Sequence, residues 1–363
     1  MNKISKVIIA GSAILCFGAL FSGLLPNPLQ PPRRGPAQPD MTLDAAARQQ
    51  ILGQVISHLN DFYVFPDKAK AMTAELRIRA ERGEYNSIAS AADFAQTLTA
   101  DIQQISSDRH LDVAYSAAVL PAKAEFEAEA ETNSAESLAA ERRRNFGVTR
   151  IERLPLNIGY FDLRSFSTPE GSKDKFAAAM SLLADTDALI IDLRFNQGGE
   201  PATVALLASY LFEQKTRLND IYDRGLDKTT QYWTDTPIGP SYGGRKKVYL
   251  LTSQDTFSAA EDFAYALKNL KRATLVGSTT GGGAHPGSAH RLTDHFAMIV
   301  PSGRSISPIT HTDWEGVGVQ ADVIVDADQA LVKAQSLYLT DLLAAEPNAA
   351  TRKRINERLT ELN

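Results

Sequence analysis

From Val148 onward the chain repeats one pattern: a short apolar run, a polar or glycine-bearing turn, then a helical pattern. Ile151–Leu154 and Ile158–Leu163 read as strands, and Ser172–Leu183 as a helix. Ala188–Ile191 is a continuous apolar run closed by Asp192, Leu193 and Arg194, the signature of a buried strand. Asn196–Gly199 then turns the chain into a helix over Pro201–Phe212. The pattern recurs as a strand at Val248–Leu251, a helix from Ser258 to Leu270, a strand at Thr274–Val276 and a glycine-rich loop, Gly277–Gly287. Further strands are expected at Arg291–Leu292, Ala297–Val300 and Val323–Val325. A helix is expected over Ala327–Leu343, with a polar tail that frays beyond Glu346. Strand–helix units joined by short loops specify an α/β core.

The segment ahead of this core reads differently. Leu43, Ile51, Val55 and Leu59 recur at helical spacing until Phe62–Pro66 breaks the pattern. A second helix runs from about Asp67 to Arg82 and stops at Gly83. A third runs from near Ser90 to Ile105, with Phe94, Leu98 and Ile102 on one face. Together they specify a small three-helix accessory domain. Leu111–Ser116 alternates and reads as a short strand. Ala122–Arg144 is rich in Ala and Glu, an exposed helix or mobile segment whose charges form a solvated face; a lid over a cleft is the less favoured reading.

Met1–Lys6 carries Lys3 and Lys6, and residues 7–25 are almost wholly apolar. This pattern marks a secretory signal or an uncleaved N-terminal anchor that tethers the chain to a membrane. Cys16, the single cysteine, follows Leu15 where lipidation would want a small residue. Pro26–Asp40 holds six prolines and reads as an extended linker. The expected division is 1–25 signal or anchor, 26–40 linker, 41–118 helical N-terminal domain, 119–147 connector, 148–345 core and 346–363 polar tail. The folded part has no disulfide. A formal net charge of -5 gives no basic patch for nucleic acid.

Chemistry concentrates at Lys246–Phe263, where a strand feeds a helix through a tight polar turn. That arrangement lifts Ser258 to the end of the sheet, beside helix N–H groups that have no intrahelical partner. A serine there is a candidate nucleophile with half an oxyanion hole. The plainer reading makes Thr256 or Ser258 a helix N-cap. A nucleophilic serine needs a base, and the chain has 6 histidines. Spacing alone does not choose among His58, His110, His285, His290, His295 and His311. His285 and His290 lack a ligand motif, so no metal site is expected. Gly198 and Gly199 offer free N–H donors or simply a tight turn. Gly281–Gly283 lacks the Lys-Ser/Thr of a phosphate loop, and no cofactor is called for.

Four ordered segments resemble the carboxyl-terminal-processing, or tail-specific, serine protease family. They are ALIIDLRFNQGGEP at Ala188–Pro201, YLLTSQDTFSAAEDF at Tyr249–Phe263, VGSTTGGGAHPG at Val276–Gly287 and WEGVGVQADVIV at Trp314–Val325. DFYVFPDKA at Asp61–Ala69 and SDRHLDVAY at Ser107–Tyr115 resemble its branch of interphotoreceptor retinoid-binding protein modules and their bacterial relatives. The resemblance spans roughly Thr42 to Gln335. It implies a crotonase-like ββα core with a helical N-terminal domain, an exported serine peptidase, and a peptide or protein substrate. By the same resemblance Ser258 is the nucleophile, with oxyanion donors at Ala259 and at Gly198 or Gly199. Much of the family pairs serine with a lysine, but that position is Gly283 here. The arrangement similar to tricorn protease instead implies His110 as base and Glu315 as orienting carboxylate, with Ser107 or Asp108 assisting. A PDZ domain is expected in the family, but the gap at Leu120–Arg150 is too short for one. Some members of the branch bind retinoids or fatty acids, so a non-catalytic binder of apolar ligands is the alternative function.

Overall fold

The computed structural model describes residues 39–123, 126 and 135–362. The expected signal, linker and Cys16 lie almost wholly outside them, as does most of 124–134. Among the described residues no helix is long and apolar enough to cross a membrane.

The chain opens with three helices, α1 (Ala45–Phe62), α2 (Pro66–Glu81) and α3 (Ala91–Ser106). Their starts follow local chemistry. Asp44 accepts from the Ala47 N–H to cap α1, Pro66 occupies the first turn of α2, and Ser90 accepts from Asp93 to cap α3. Strand β1 (Asp112–Tyr115) follows, then helix α4 (Ala135–Arg143). Next come β2 (Val148–Leu154), β3 (Ile158–Leu163), α5 (Pro169–Leu183), β4 (Ala188–Asp192) and α6 (Pro201–Ala208). A hairpin of β5 (Arg217–Asp223) and β6 (Lys228–Trp233) precedes β7 (Lys247–Thr252), α7 (Ala259–Asn269) and β8 (Thr274–Gly277). The chain closes with β9 (Gly287–Arg291), β10 (Phe296–Pro301), β11 (Gly303–Ile306), β12 (Val323–Ile324), α8 (Ala330–Ala345) and α9 (Ala349–Leu362).

The central sheet runs β12-β8-β7-β4-β3-β2, parallel throughout except for the β2–β3 pair. Every residue of β3 and β4 is buried, as expected for parallel strands covered on both faces. Alternation assigns the faces: Leu189, Ile191, Val248 and Leu250 pack with α5, α6 and α7, while Ala188, Ile190, Tyr249 and Leu251 pack under α8. Each fully buried side chain of this kind contributes roughly 1.5–3 kcal/mol. The fold is thus the mixed α/β core with N-terminal helices that the sequence implied.

Several elements depart from the expectation, among them β11, which pairs with β5 and was not foreseen. The hairpin β5–β6 went unread, because β5 buries Asn219 and Asp220 beside Leu218 and Ile221 and so shows no clean apolar run. The stretch beyond Glu346 does not fray. It forms α9, whose Ile355, Leu359 and Leu362 recur at helical spacing and pack in the cluster under α8. Finally, β1 pairs with β10 rather than standing with the helices alone. The N-terminal helices share one apolar core with Leu292, Phe296, Met298 and Val300 of the C-terminal half.

Candidate active site

The carboxyl ends of β4, β7 and β8 point to one edge of the central sheet, where functional groups of an α/β fold collect. Beyond β7 the chain passes through Ser253–Phe257 and reaches Ser258, whose backbone is held at φ +54°, ψ −121°. A non-glycine residue in that region costs about 1–3 kcal/mol and persists only where its surroundings hold it. Here the Glu261 carboxylate holds it by accepting the Ser258 N–H at 2.9 Å. Glu261 also accepts from Gly282 N–H at 2.7 Å, Gly283 N–H at 2.8 Å and the Thr280 hydroxyl. Ser258 and Glu261 form a capping box, so the N-cap reading and the exposed-serine reading describe the same residue.

His110 sits on the turn between α3 and β1. Its Nε2 stands 3.1 Å from Ser258 Oγ, across 148 residues of sequence. The ring packs against Phe257 with centroids 4.6 Å apart. A Cβ at Gly283 would stand 2.6 Å from His110 Cε1 and 2.3 Å from the Phe257 ring. The place a side chain at 283 would take is therefore already filled by His110 and Phe257.

Behind His110 lies a buried polar chain. Asp108 is fully buried and accepts three hydrogen bonds: from the His110 N–H at 3.0 Å, Tyr63 OH at 3.1 Å and His285 Nδ1 at 2.8 Å. Its Oδ1 is 3.9 Å from His110 Nδ1, which has no hydrogen-bond partner. Glu315 approaches His285 Nδ1 at 3.4 Å and takes the Ala284 N–H at 2.5 Å. Glu315 thus reaches His110 only through His285 and Asp108. Ser107 is exposed and forms the left-handed C-cap of α3. His285 stood among the candidate bases in the sequence, but its role behind Asp108 was not read; the signal available was its place two residues after the glycine run.

The electrostatics follow from burial. It pushes His110 down to about 4, against the pull of Asp108, so the imidazole is neutral at neutral pH rather than titrating in its usual range. Burial alone would raise Asp108, but the His285 hydrogen bond and the neighbouring imidazoles hold it below the usual carboxylate range. Burial, then the Asp108 charge, pushes Glu315 up to about 9. Asp108, His285 and Glu315 place three ligand-type atoms within 4.8 Å of one another. His285 sits between the two carboxyl groups, bonded to Asp108 and 3.4 Å from Glu315.

Gly198 lies against the nucleophile at φ +100°, where a Cβ would stand 2.8 Å from Ser258 Cβ. Only glycine permits this approach. Its N–H is engaged by Asn196 Oδ1 at 2.9 Å. Among the described residues the N–H groups of Gly199 and Ala259 donate to no protein acceptor. Both residues line a small cleft with Ser258.

Residues 157–325 match peptidase family S41, and residues 41–144 match the N-terminal domain of peptidase S41 in eukaryotic IRBP. Carboxyl-terminal-processing peptidase 2, chloroplastic, of Arabidopsis thaliana is 29% identical over 173 residues, 46% of this chain and 31% of that protein. The carboxyl-terminal-processing protease of Synechocystis is 29% identical over 172 residues, 47% of this chain and 38% of that protein. The match thus spans about a third of the length of these relatives. Among solved structures, a lipoprotein from Streptococcus agalactiae shares the fold with TM-score 0.51 at 14% identity, over 82% of this chain and 98% of that one. With the core and the N-terminal segment both matched, and with the four motifs gathered at one sheet edge, this chain belongs to peptidase family S41.

Proposed function

We propose that the chain is a serine peptidase that cleaves peptide bonds through an acyl-enzyme on Ser258, with His110 as general base. The observation that carries this reading is the 3.1 Å approach of His110 Nε2 to Ser258 Oγ in space that Gly283 leaves open. His110 takes the Ser258 proton as the oxygen attacks the scissile carbonyl, and returns it to the leaving amine. A carbonyl oxygen turned into the cleft meets the N–H groups of Ala259 and Gly199, which serve as oxyanion donors. Gly198 supplies the close backbone approach rather than a donor.

Asp108 is the carboxylate nearest the imidazolium that forms, and its bond to the His110 N–H fixes the turn that carries the ring. Glu315 acts through His285, which holds Asp108 from behind. The substrate is a peptide or protein. Lys3 and Lys6 ahead of the apolar residues 7–25 support action outside the cytoplasm.

A binder of retinoid-like or fatty-acid-like ligands is the weaker reading. The cleft beside Ser258 has a volume of about 20 Å³, whereas sites for such ligands run to several hundred. The test is labelling with a serine-reactive fluorophosphonate. Wild type takes the label and Ser258→Ala does not; no Ser258-dependent label would overturn the peptidase reading.

A further inference from the structure

The connector ahead of the core, which the sequence presents as a solvated face or a lid, reaches the active site from behind. Glu141, near the end of α4, accepts the Ser167 hydroxyl through Oε2, and Arg144 Nη1 lies 3.8 Å from its Oε1. Ser167 Oγ is also 3.0 Å from Ser165 Oγ, and the Ser167 carbonyl accepts the Thr203 hydroxyl of α6 at 2.5 Å. Just beyond α4, the Phe146 ring fills the space over Gly171 in the first turn of α5, where a Cβ would stand 1.8 Å from it. The Gly147 carbonyl accepts the Arg164 N–H at 2.8 Å. The connector is thereby fastened to the segment Arg164–Ser167, between β3 and α5.

That segment carries Phe166, which is fully buried. The Phe166 N–H donates to the Gly198 carbonyl at 2.8 Å, and the Phe166 carbonyl accepts the Glu200 N–H at 2.7 Å. Phe166 and Gly199 form a parallel bridge, so close that a Cβ at Gly199 would stand 2.0 Å from the Phe166 oxygen. The Gly198–Gly199 peptide is trans, so its C=O and N–H point in opposite directions. Tying the Gly198 carbonyl to Phe166 therefore turns the Gly199 N–H away from Phe166. This N–H has no protein acceptor and belongs to a residue that lines the cleft with Ser258. Glycines on both sides of the peptide set no side-chain barrier to its turning over, so its orientation rests on what its carbonyl is tied to.

We propose that Glu141 is a positioning residue for the oxyanion hole. Through the Ser165–Ser167 hydroxyls, α4 holds Phe166 against the Gly198–Gly199 peptide and so keeps the Gly199 N–H aimed at the cleft. The connector is then neither a passive linker nor a lid, but the part of the chain that sets one oxyanion donor. The inference rests on the peptidase reading of Ser258, with Gly199 as donor.

Fluorophosphonate labelling of Ser258 tests it, because the attacked phosphoryl group places an oxygen on the same donors. Its maximal rate and half-saturating reagent concentration are compared in wild type, Glu141→Ala, Ser167→Ala, the double variant and Glu141→Gln. Outright loss of an oxyanion donor costs about 10²–10³ in rate, and a donor that is aimed only part of the time loses part of that, so Glu141→Ala should slow the maximal rate about ten-fold. The half-saturating concentration should stay at its wild-type value. Ser167→Ala should match Glu141→Ala, and the double variant should be no slower than either, because both cut the same chain of contacts. Glu141→Gln keeps an acceptor for the Ser167 hydroxyl and should recover most of the rate. The pH limb near 4 should stay in place while the plateau falls, since His110 is untouched. If Glu141→Ala does not fold, Ser167→Ala, which deletes a single oxygen, carries the same test. A helix that only stabilises the fold would lower the denaturant midpoint and leave the maximal rate of the folded variants unchanged, which overturns the proposal. So does Glu141→Gln as slow as Glu141→Ala, or a double variant in which the two losses multiply. Each of these leaves the peptidase reading intact, whereas absence of Ser258-dependent label in wild type overturns both.

Discussion

Asp108 and Asp262 are two buried carboxyl groups near Ser258, and they differ in how they are partnered. Asp108 accepts three hydrogen bonds and is held below the usual carboxylate range. Asp262 Oδ1 has no partner, Asn219 alone stands against the carboxyl, and burial pushes it up to about 7. Burial is the same; partnership is not. A satisfied carboxylate is a fixed charge, suited to hold a histidine through a reaction. A buried carboxyl with one neutral partner is not held as a fixed charge. The comparison separates the side of the site that is tied to His110 from the side that is not.

The largest expected effect comes from the satisfied side. Asp108→Asn keeps the shape but removes the charge facing the imidazolium, and kcat should fall about 10³–10⁴-fold, the range seen when a triad carboxylate is neutralised. A loss below ten-fold would strip Asp108 of its role. Next in size is Gly283→Ala. The added methyl meets His110 and Phe257, so activity should drop about 10²-fold, as a misplaced catalytic group typically causes. A Gly283→Ala enzyme with normal kcat would show that the His110 position does not matter.

How much of this the sequence disclosed depends on how local each cause is. The helices α1–α3 and the strands β3, β4 and β7 follow from apolar spacing and caps within single segments. Ser258 stood out because a strand, a turn and a helix adjoin it in the chain. The hairpin β5–β6 did not, since its buried Asn219 and Asp220 interrupt the apolar pattern that marks a strand. Helix α9 is mostly polar, and Ile355, Leu359 and Leu362 are its apolar contributions to the cluster under α8. His285 meets Asp108 across 177 residues, and no spacing rule encodes such a contact. The sparse partnership of Asp262 is likewise invisible in sequence, where Glu261 and Asp262 are adjacent acids. Only the fold gives one of them four donors and leaves the other with Asn219 alone.

The smallest effect concerns stability. Glu315 in the folded protein titrates near 9, above its unfolded value of about 4.3. Its favourable contribution is full below the unfolded value and is lost as pH rises through the folded one. Glu315→Gln mimics the protonated form, so denaturant midpoints should fall less between pH 6 and pH 9 than in wild type. The difference can reach at most about 1.4 kcal/mol per pH unit. Identical slopes would place the proton elsewhere in the Asp108–His285–Glu315 chain.

The central claim is that His110 is the base for Ser258. The rate of Ser258 labelling by a fluorophosphonate, followed from pH 3.5 to 9, tests it most directly. Burial of His110 predicts that the rate rises through a limb near pH 4 and is level through neutral pH. His110→Ala should lose nearly all of that rate and the limb with it. A His110→Ala protein that labels at the wild-type rate, or a wild-type limb above pH 7 that survives the substitution, would contradict the account.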